Sequence, residues 1–274
     1  MDGTMSGVGV GIDIRDDGLA RVTLRRGDAG NAIGLATARG LLDAALACQR
    51  ADVRAVLLTG EGRSFCVGGD LREFARLDGA ALEEHLIAVT DALHEALRIF
   101  ARLDAPMVAA VQGAVAGAGI GLAAVADVTL AADNASFTAA YTGIGYSPDA
   151  GVSWFLPRLV GPKRALDLLL TNRRIPAAEA EEIGLVSRTV AADLLTEEAA
   201  RTAEALHRGP TAAFGATRRL VAAGLTSDLG PHLDREAGAL AAAAASDEGR
   251  EGVAAFLGKR APDFARAPSL TSGT

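Results

Sequence analysis

PMVAAVQGAVAGAGIGLAAVADVTLAADNASFTAAYTGIGYSPDAG, residues 106–151, holds a strand, a glycine-rich turn, a helix start and a placed acid in one uninterrupted run. The apolar residues 107–111, bounded by Pro106 and Gly113, predict a buried strand. Glycines then recur at 113, 117, 119 and 121, where backbone can come close to something that side chains would exclude. The apolar run 120–126 predicts a short helix beginning on that loop, and the free N–H groups of a helix start point at negative charge. Further on, Ser147-Pro148-Asp149-Ala150-Gly151 sets an acid in a turn before another apolar helix. Backbone amides that stabilise an anion, with one carboxylate beside them, are the least that is needed to move a proton next to a carbonyl.

The same layout occurs upstream. Residues 53–59 predict a buried strand, and GEGRSFCVGGD (60–70) is a second glycine loop feeding a helix at 71–76. One N–H from each loop converging on a single oxygen would form an oxyanion hole. The alternative is that the glycines only let helices pack tightly on strands. Dinucleotide binding is a further alternative, through Gly117, Gly119, Gly121 and Asp133, but the spacing departs from G-x-G-x-x-G and the helix is too short for the usual crossover. Asp70 suits the N-cap of its helix, and Asp149 is open to the same bland explanation. Cys66 has no base near it in sequence and apolar neighbours, as expected of an inert buried thiol. His85, His94, His207 and His232 lack metal-ligand spacing, and Ser153 lacks the second glycine of a nucleophile elbow.

Outward from these loops, residues 8–14 and 19–24 predict a hairpin around Asp16-Asp17-Gly18, and 37–50 a helix. A longer helix is expected at 80–102, short strands at 127–132 and 135–138, helices at 150–159, 162–170 and 177–183, and a strand at 185–190. Beyond 191 the chain reads as helices, at 194–207, 211–223, 231–245 and 248–257. The composition shift divides it into a core over 1–190, a helical region over 191–266 and a mobile tail over 267–274.

Half of the 274 residues are hydrophobic, enough for a large core, and a net charge of -7 argues against a nucleic-acid or membrane-surface binder. Two cysteines make no disulfide framework, and no basic-then-apolar leader or long apolar span occurs, so a soluble cytoplasmic protein is expected.

Asn31-Ala32, SFCVGGDL at 64–71, PMVAAVQG at 106–113, Asp127, residues 145–161, the pattern over 177–190 and GVAAFLGKR at 252–260 together resemble the crotonase, or enoyl-CoA hydratase/isomerase, family over roughly residues 8 to 265. The resemblance implies an α/β fold of the ClpP/crotonase kind, a spiral of ββα units with a helical C-terminal trimerisation region. It implies a homotrimer or hexamer (a dimer of trimers), an acyl-CoA thioester as substrate and no other cofactor or metal. Carried over by position, it implies oxyanion-hole N–H groups at Cys66 and Ala118. It also implies substrate or CoA contacts at Val67, Gly68, Gly69, Gly117, Gly119, Tyr141, Arg25 and Arg26, and at Phe256 and Lys259 of a neighbouring subunit. The two glutamates that resembling hydratases carry are replaced here by Gly121 and Tyr141. Hydration needs one group to activate water and one to protonate carbon, so its loss is expected. The segment SPDAGVSWFLPRLVG instead resembles the branch that shifts double bonds or isomerises ring-epoxide CoA esters in the phenylacetate pathway, which implies that Asp149 is the acid/base. The alternatives are a hydratase or hydrolase with a rearranged water site, and an acyl-CoA binder without turnover. The pocket for the acyl group would be lined by the apolar, mobile-looking segment 71–90.

Overall fold

The structure, a computed structural model, describes residues 5–7, 9–50 and 52–265. Strands β1 (Met5–Gly7), β2 (Val10–Ile14) and β3 (Leu19–Leu24) open the chain, followed by α1 (Leu35–Arg50) and β4 (Ala55–Gly60). Next come α2 (Leu71–Phe74), α3 (Gly79–Arg102), β5 (Met107–Val111), β6 (Ala114–Ala116), α4 (Ala118–Ala124), β7 (Val128–Ala132) and β8 (Ser136–Thr138). Then follow α5 (Val152–Val160), α6 (Pro162–Thr171), β9 (Ile175–Pro176), α7 (Ala177–Glu182) and β10 (Arg188–Val190). The last helices are α8 (Leu195–His207), α9 (Thr211–Gly224), α10 (Leu229–Ala245) and α11 (Asp247–Leu257).

A seven-stranded sheet runs β1-β2-β3-β4-β5-β7-β10, antiparallel through β3 and parallel from there on. A small sheet, β6-β8-β9, stands beside it. Each central strand of the large sheet is followed by a short crossing to the small one and then by a helix. After β4 the crossing is the Cys66↔Val115 bridge, after β5 it is β6, and after β7 it is β8. This repeat of long strand, short strand and helix is the ββα spiral the resemblance implied.

Alternation along the strands fixes the two faces. Val56 and Leu58 of β4, with Met107, Ala109 and Val111 of β5, join the cluster that includes α1 and α3. The residues between them, Leu57, Val108 and Ala110, meet Leu195, Ala199 and Ala203 of α8 on the other face. The division expected at residue 190 thus passes between β10 and a helix that packs on the sheet. Helix α9 is tied on by Arg218, which donates to Asp127 Oδ1 at 2.7 Å and to the carbonyls of Phe100 at 3.0 Å, Ala105 at 3.3 Å and Leu103.

Several elements differ from expectation. β6 lies inside the stretch read as loop, because alternate residues of Ala114-Val115-Ala116 turn Val115 into the core. Helix α4 starts two residues early, and α2 ends at Phe74. The late strand shortens to β10 because Leu185 and Val186 are core residues outside it. The segment read as mobile, 71–90, is carried by α2 and α3. β1 and β9, too short for a periodicity signal, were not foreseen. Val8 of the expected hairpin and the tail 267–274 lie outside the described residues. No described helix is long and apolar enough to cross a membrane.

Candidate active site

Asn31 sets the first glycine loop. Fully buried with φ of 57°, it donates from Nδ2 to the carbonyls of Glu61 and Ser64, both at 2.9 Å, and accepts from Arg26 N–H at 2.8 Å. The held loop pairs with residue 33: Ile33 N–H donates to Gly68 O at 2.8 Å, and Asp70 N–H to Ile33 O at 2.9 Å. Those bonds use the carbonyl before Gly69 and the N–H after it. Gly69's own N–H is left without an acceptor among the described residues, and Gly69 lines a cavity.

Cys66 is placed differently. Its N–H donates to Ala114 O at 3.3 Å and its carbonyl accepts from Ala116 N–H at 2.9 Å, so the bridge to β6 consumes both groups. The donor expected at Cys66 is therefore already engaged, and the free amide of this loop lies three residues on. Burial pushes the Cys66 thiol pKa up to about 12, which keeps it protonated near neutral pH.

In the second loop, Gly117 takes φ 51° and ψ -126°, open in practice only to glycine, and Ala118 starts α4. Its N–H, in the first turn, has no intrahelical acceptor. The loops touch backbone to backbone: a Cβ on Gly68 would lie 3.0 Å from Ala116 O, and one on Gly119 would lie 2.4 Å from Cys66 O. Gly119 is thus a packing glycine and not part of the cavity wall.

The cavity, about 670 Å³, lies between these loops, α2, α3 and the segment 140–149. Val67, Gly68, Gly69, Gly117, Ala118, Tyr141 and Asp149 line it, whereas Cys66, Gly119, Arg25 and Arg26 do not; Phe256 and Lys259, expected to act at a neighbouring subunit's site, are not in this lining. Arg25 lies across Gly11 with Glu61 at 3.7 Å, and Arg26 bonds Asp70 at 2.8 Å and Ala32 O at 2.9 Å. Phe256 is 83% exposed at the end of α11. Asp70 caps α2, accepting from Glu73 N–H at 3.2 Å; burial works to raise its pKa, but the Arg26 guanidinium and that N–H prevail and hold it low.

Asp149 has no such structural duty. Gly151 is the N-cap of α5, with no side-chain cap. The carboxylate is half-buried at the cavity wall, where Tyr141 Oη donates to Oδ1 at 2.5 Å. Burial, and then the Asp149 charge, push the Tyr141 phenol well above the usual tyrosine range, so it remains a donor. Ala150, at φ of 50°, holds the turn by donating its N–H to His94 Nε2 at 3.1 Å. Glu83, exposed on α3, is the other carboxylate at the cavity.

The α3 wall, Leu82, Leu86, Val89 and Thr90, falls within the segment 71–90 expected to line the acyl pocket; Leu93 and Ile144 line the cavity too and were not singled out from the sequence. The spacing of 82, 86, 89 and 93 is one helical face and was the signal available.

A family model described as enoyl-CoA hydratase/isomerase matches residues 15–267. The chain belongs to this family. A Rhodobacter capsulatus protein named a probable enoyl-CoA hydratase is 44% identical over 249 residues, covering 90% of this chain and 95% of that one. An Escherichia coli 1,2-epoxyphenylacetyl-CoA isomerase is 36% identical over 213 residues, 77% and 81% of the two chains. A crystal structure of a Mycobacterium abscessus chain assigned as an enoyl-CoA hydratase/isomerase matches with a TM-score of 0.88 at 36% identity, over 93% of this chain and 98% of that one. Family membership thus confirms the crotonase-type α/β fold. Because one relative is named a hydratase and another an isomerase, the reaction rests on the side chains around the cavity.

Proposed function

We propose that the chain is an enoyl-CoA isomerase acting on an acyl-CoA thioester, with Asp149 as its acid/base and the N–H groups of Gly69 and Ala118 as its oxyanion hole. The observation that carries this is at Gly121: a Cβ there would lie 2.1 Å from Ala150 O, so no side chain enters at one of the two positions where hydratases are expected to hold glutamate. Tyr141 occupies the other and is bonded to Asp149. Asp149 is then the half-buried carboxylate at the cavity, which suits a proton that is moved along the substrate and returned.

In a 3-enoyl-CoA, Asp149 takes a proton from C2 as the C–H electron pair moves into the thioester, leaving an enolate oxygen against the two amides. The protonated carboxyl then delivers that proton to C4, the carbonyl re-forms and the double bond lies between C2 and C3. Losing a single oxyanion donor typically costs about 3 to 4 kcal/mol, so the loops supply catalysis as well as binding. A second reading, hydration, is favoured by Glu83 at the cavity edge and by the name of the R. capsulatus relative.

Asp149→Asn, which keeps size and turn-forming ability, is expected to lower isomerisation of 3-enoyl-CoA by about 10²- to 10⁴-fold with acyl-CoA affinity nearly unchanged. Both reactions are to be measured on both proteins. Wild-type turnover by the asparagine variant removes Asp149 from the mechanism, and efficient hydration of 2-enoyl-CoA by the wild type moves the assignment to hydratase.

The proposal extends to assembly as a homotrimer or a dimer of trimers, supported by exposed apolar residues on α9–α11 such as Leu229 at 73% and Phe256 at 83%. A reducing cytoplasmic setting is supported by two free buried cysteines, Cys48 and Cys66.

A further inference from the structure

Tyr141 stands where a second carboxylate is expected in a hydratase, and its sequence position implied only contact with substrate. The structure gives it a different partner. It is 8% exposed, and its hydroxyl donates to Asp149 Oδ1 at 2.5 Å, with the Asp149 main-chain carbonyl at 3.4 Å. Its ring lies beside the second glycine loop, where a Cβ on Gly117 would lie 3.8 Å from Tyr141 Cζ.

The other side of Asp149 is fixed through the backbone. Ala150 sits at φ of 50° and donates to His94 on α3, and Val152 N–H donates to Asp149 O at 2.9 Å. These contacts set the Cα position of Asp149 but leave its side-chain torsions free. The phenol bond constrains them: Oδ1 is held, and Oδ2 is left without a hydrogen bond from the described residues. No other hydrogen bond to either carboxylate oxygen is made by the described residues.

We propose that Tyr141 is the positioning residue of the proton transfer, clamping Asp149 through Oδ1 so that Oδ2 meets the substrate carbon. This rests on Asp149 being the base. A phenol suits the task because it is neutral and rigid, and burial with an adjacent anion keeps its proton in place. A mobile carboxylate would spend most of its time in rotamers that do not reach the carbon, and misplacement of about 1 Å is worth up to about 10²-fold in rate.

Tyr141→Phe keeps the ring that lines the cavity and removes only the clamp. The first measurement is the proton NMR spectrum of the wild type. A far-downfield hydroxyl resonance is expected there and is expected to vanish in both Tyr141→Phe and Asp149→Asn. The second is exchange of the C2 protons of a saturated acyl-CoA with solvent deuterium, which needs base and oxyanion donors but no double-bond shift. The third is isomerisation of 3-enoyl-CoA. In Tyr141→Phe, exchange and the kcat of isomerisation are both expected to fall by roughly 10- to 100-fold with KM unchanged.

A variant that exchanges C2 protons at the wild-type rate overturns the clamp, and so does one in which KM rises while kcat holds, because Tyr141 is then a substrate contact. If the wild type exchanges protons in a Tyr141-dependent way yet isomerises nothing, the clamp stands and the isomerase reading falls. If the wild type neither exchanges nor isomerises, both fall together.

Discussion

Asn31 shows how much of the site rests on one side chain. Three hydrogen bonds and a left-handed backbone are concentrated in a residue with no exposed surface. Asparagine tolerates that conformation better than most residues, and its amide supplies both the donors and the acceptor that the loop requires. Asn31→Ala leaves the carbonyls of Glu61 and Ser64 without this donor and adds backbone strain, so a loss of about 3 kcal/mol is expected by denaturant unfolding. The same variant is expected to weaken acyl-CoA affinity, because the loop it holds carries Gly69. Retention of both stability and affinity would show that the bridge between Ile33 and Gly69 holds the loop without Asn31.

Among the elements, α9 is tied to the sheet side through a buried arginine, with Arg219 paired to Asp104 beside it. Arg218 is mostly buried, with a side chain 13% exposed, and reaches three carbonyls and Asp127. Asp127 in turn accepts from Met107 N–H at 2.7 Å, so the link runs from α9 to the first residue of β5. Planar guanidinium geometry makes this a job for arginine and not lysine. Arg218→Met is expected to lower the local opening free energy of α9–α11 by about 2 to 3 kcal/mol, given that hydrogen bonds to charged groups are worth that much. Amide exchange should quicken in those helices while β4, β5 and β7 keep their protection; uniform quickening across the sheet would mean that the C-terminal helices and the core unfold as one unit.

For the whole molecule, the unpartnered apolar surface is the main fact left to explain. Val221, Leu225, Leu229, Leu233, Leu240 and Val253 are each more than half exposed, Leu225 just past the end of α9 and the others on three successive helices. Scattered exposed leucines are ordinary, but a run of them over α9–α11 is the kind of surface that marks an interface. Light scattering at micromolar concentration is expected to give the trimer or hexamer mass. A monomer mass alone would leave that surface unexplained and withdraw the proposed assembly.

The sequence by itself determined the elements whose signals are local. The apolar runs at β4 and β5, the helical spacing of α1 and α3, and the glycine loops were legible because periodicity and turn chemistry act over a few residues. So were the Asp70 cap, the burial of Cys66 and the turn that carries Asp149. Tertiary structure decided what depends on residues far apart in the chain. Cys66 loses its N–H to Ala114, 48 positions on, and the free amide passes to Gly69 because Ile33 pairs on either side of it. Gly121 is closed by the carbonyl of Ala150, and the Tyr141 hydroxyl is turned onto Asp149. A backbone amide looks alike at every position of a glycine loop, so only the partners that fold against it settle which one is left to bind an oxyanion.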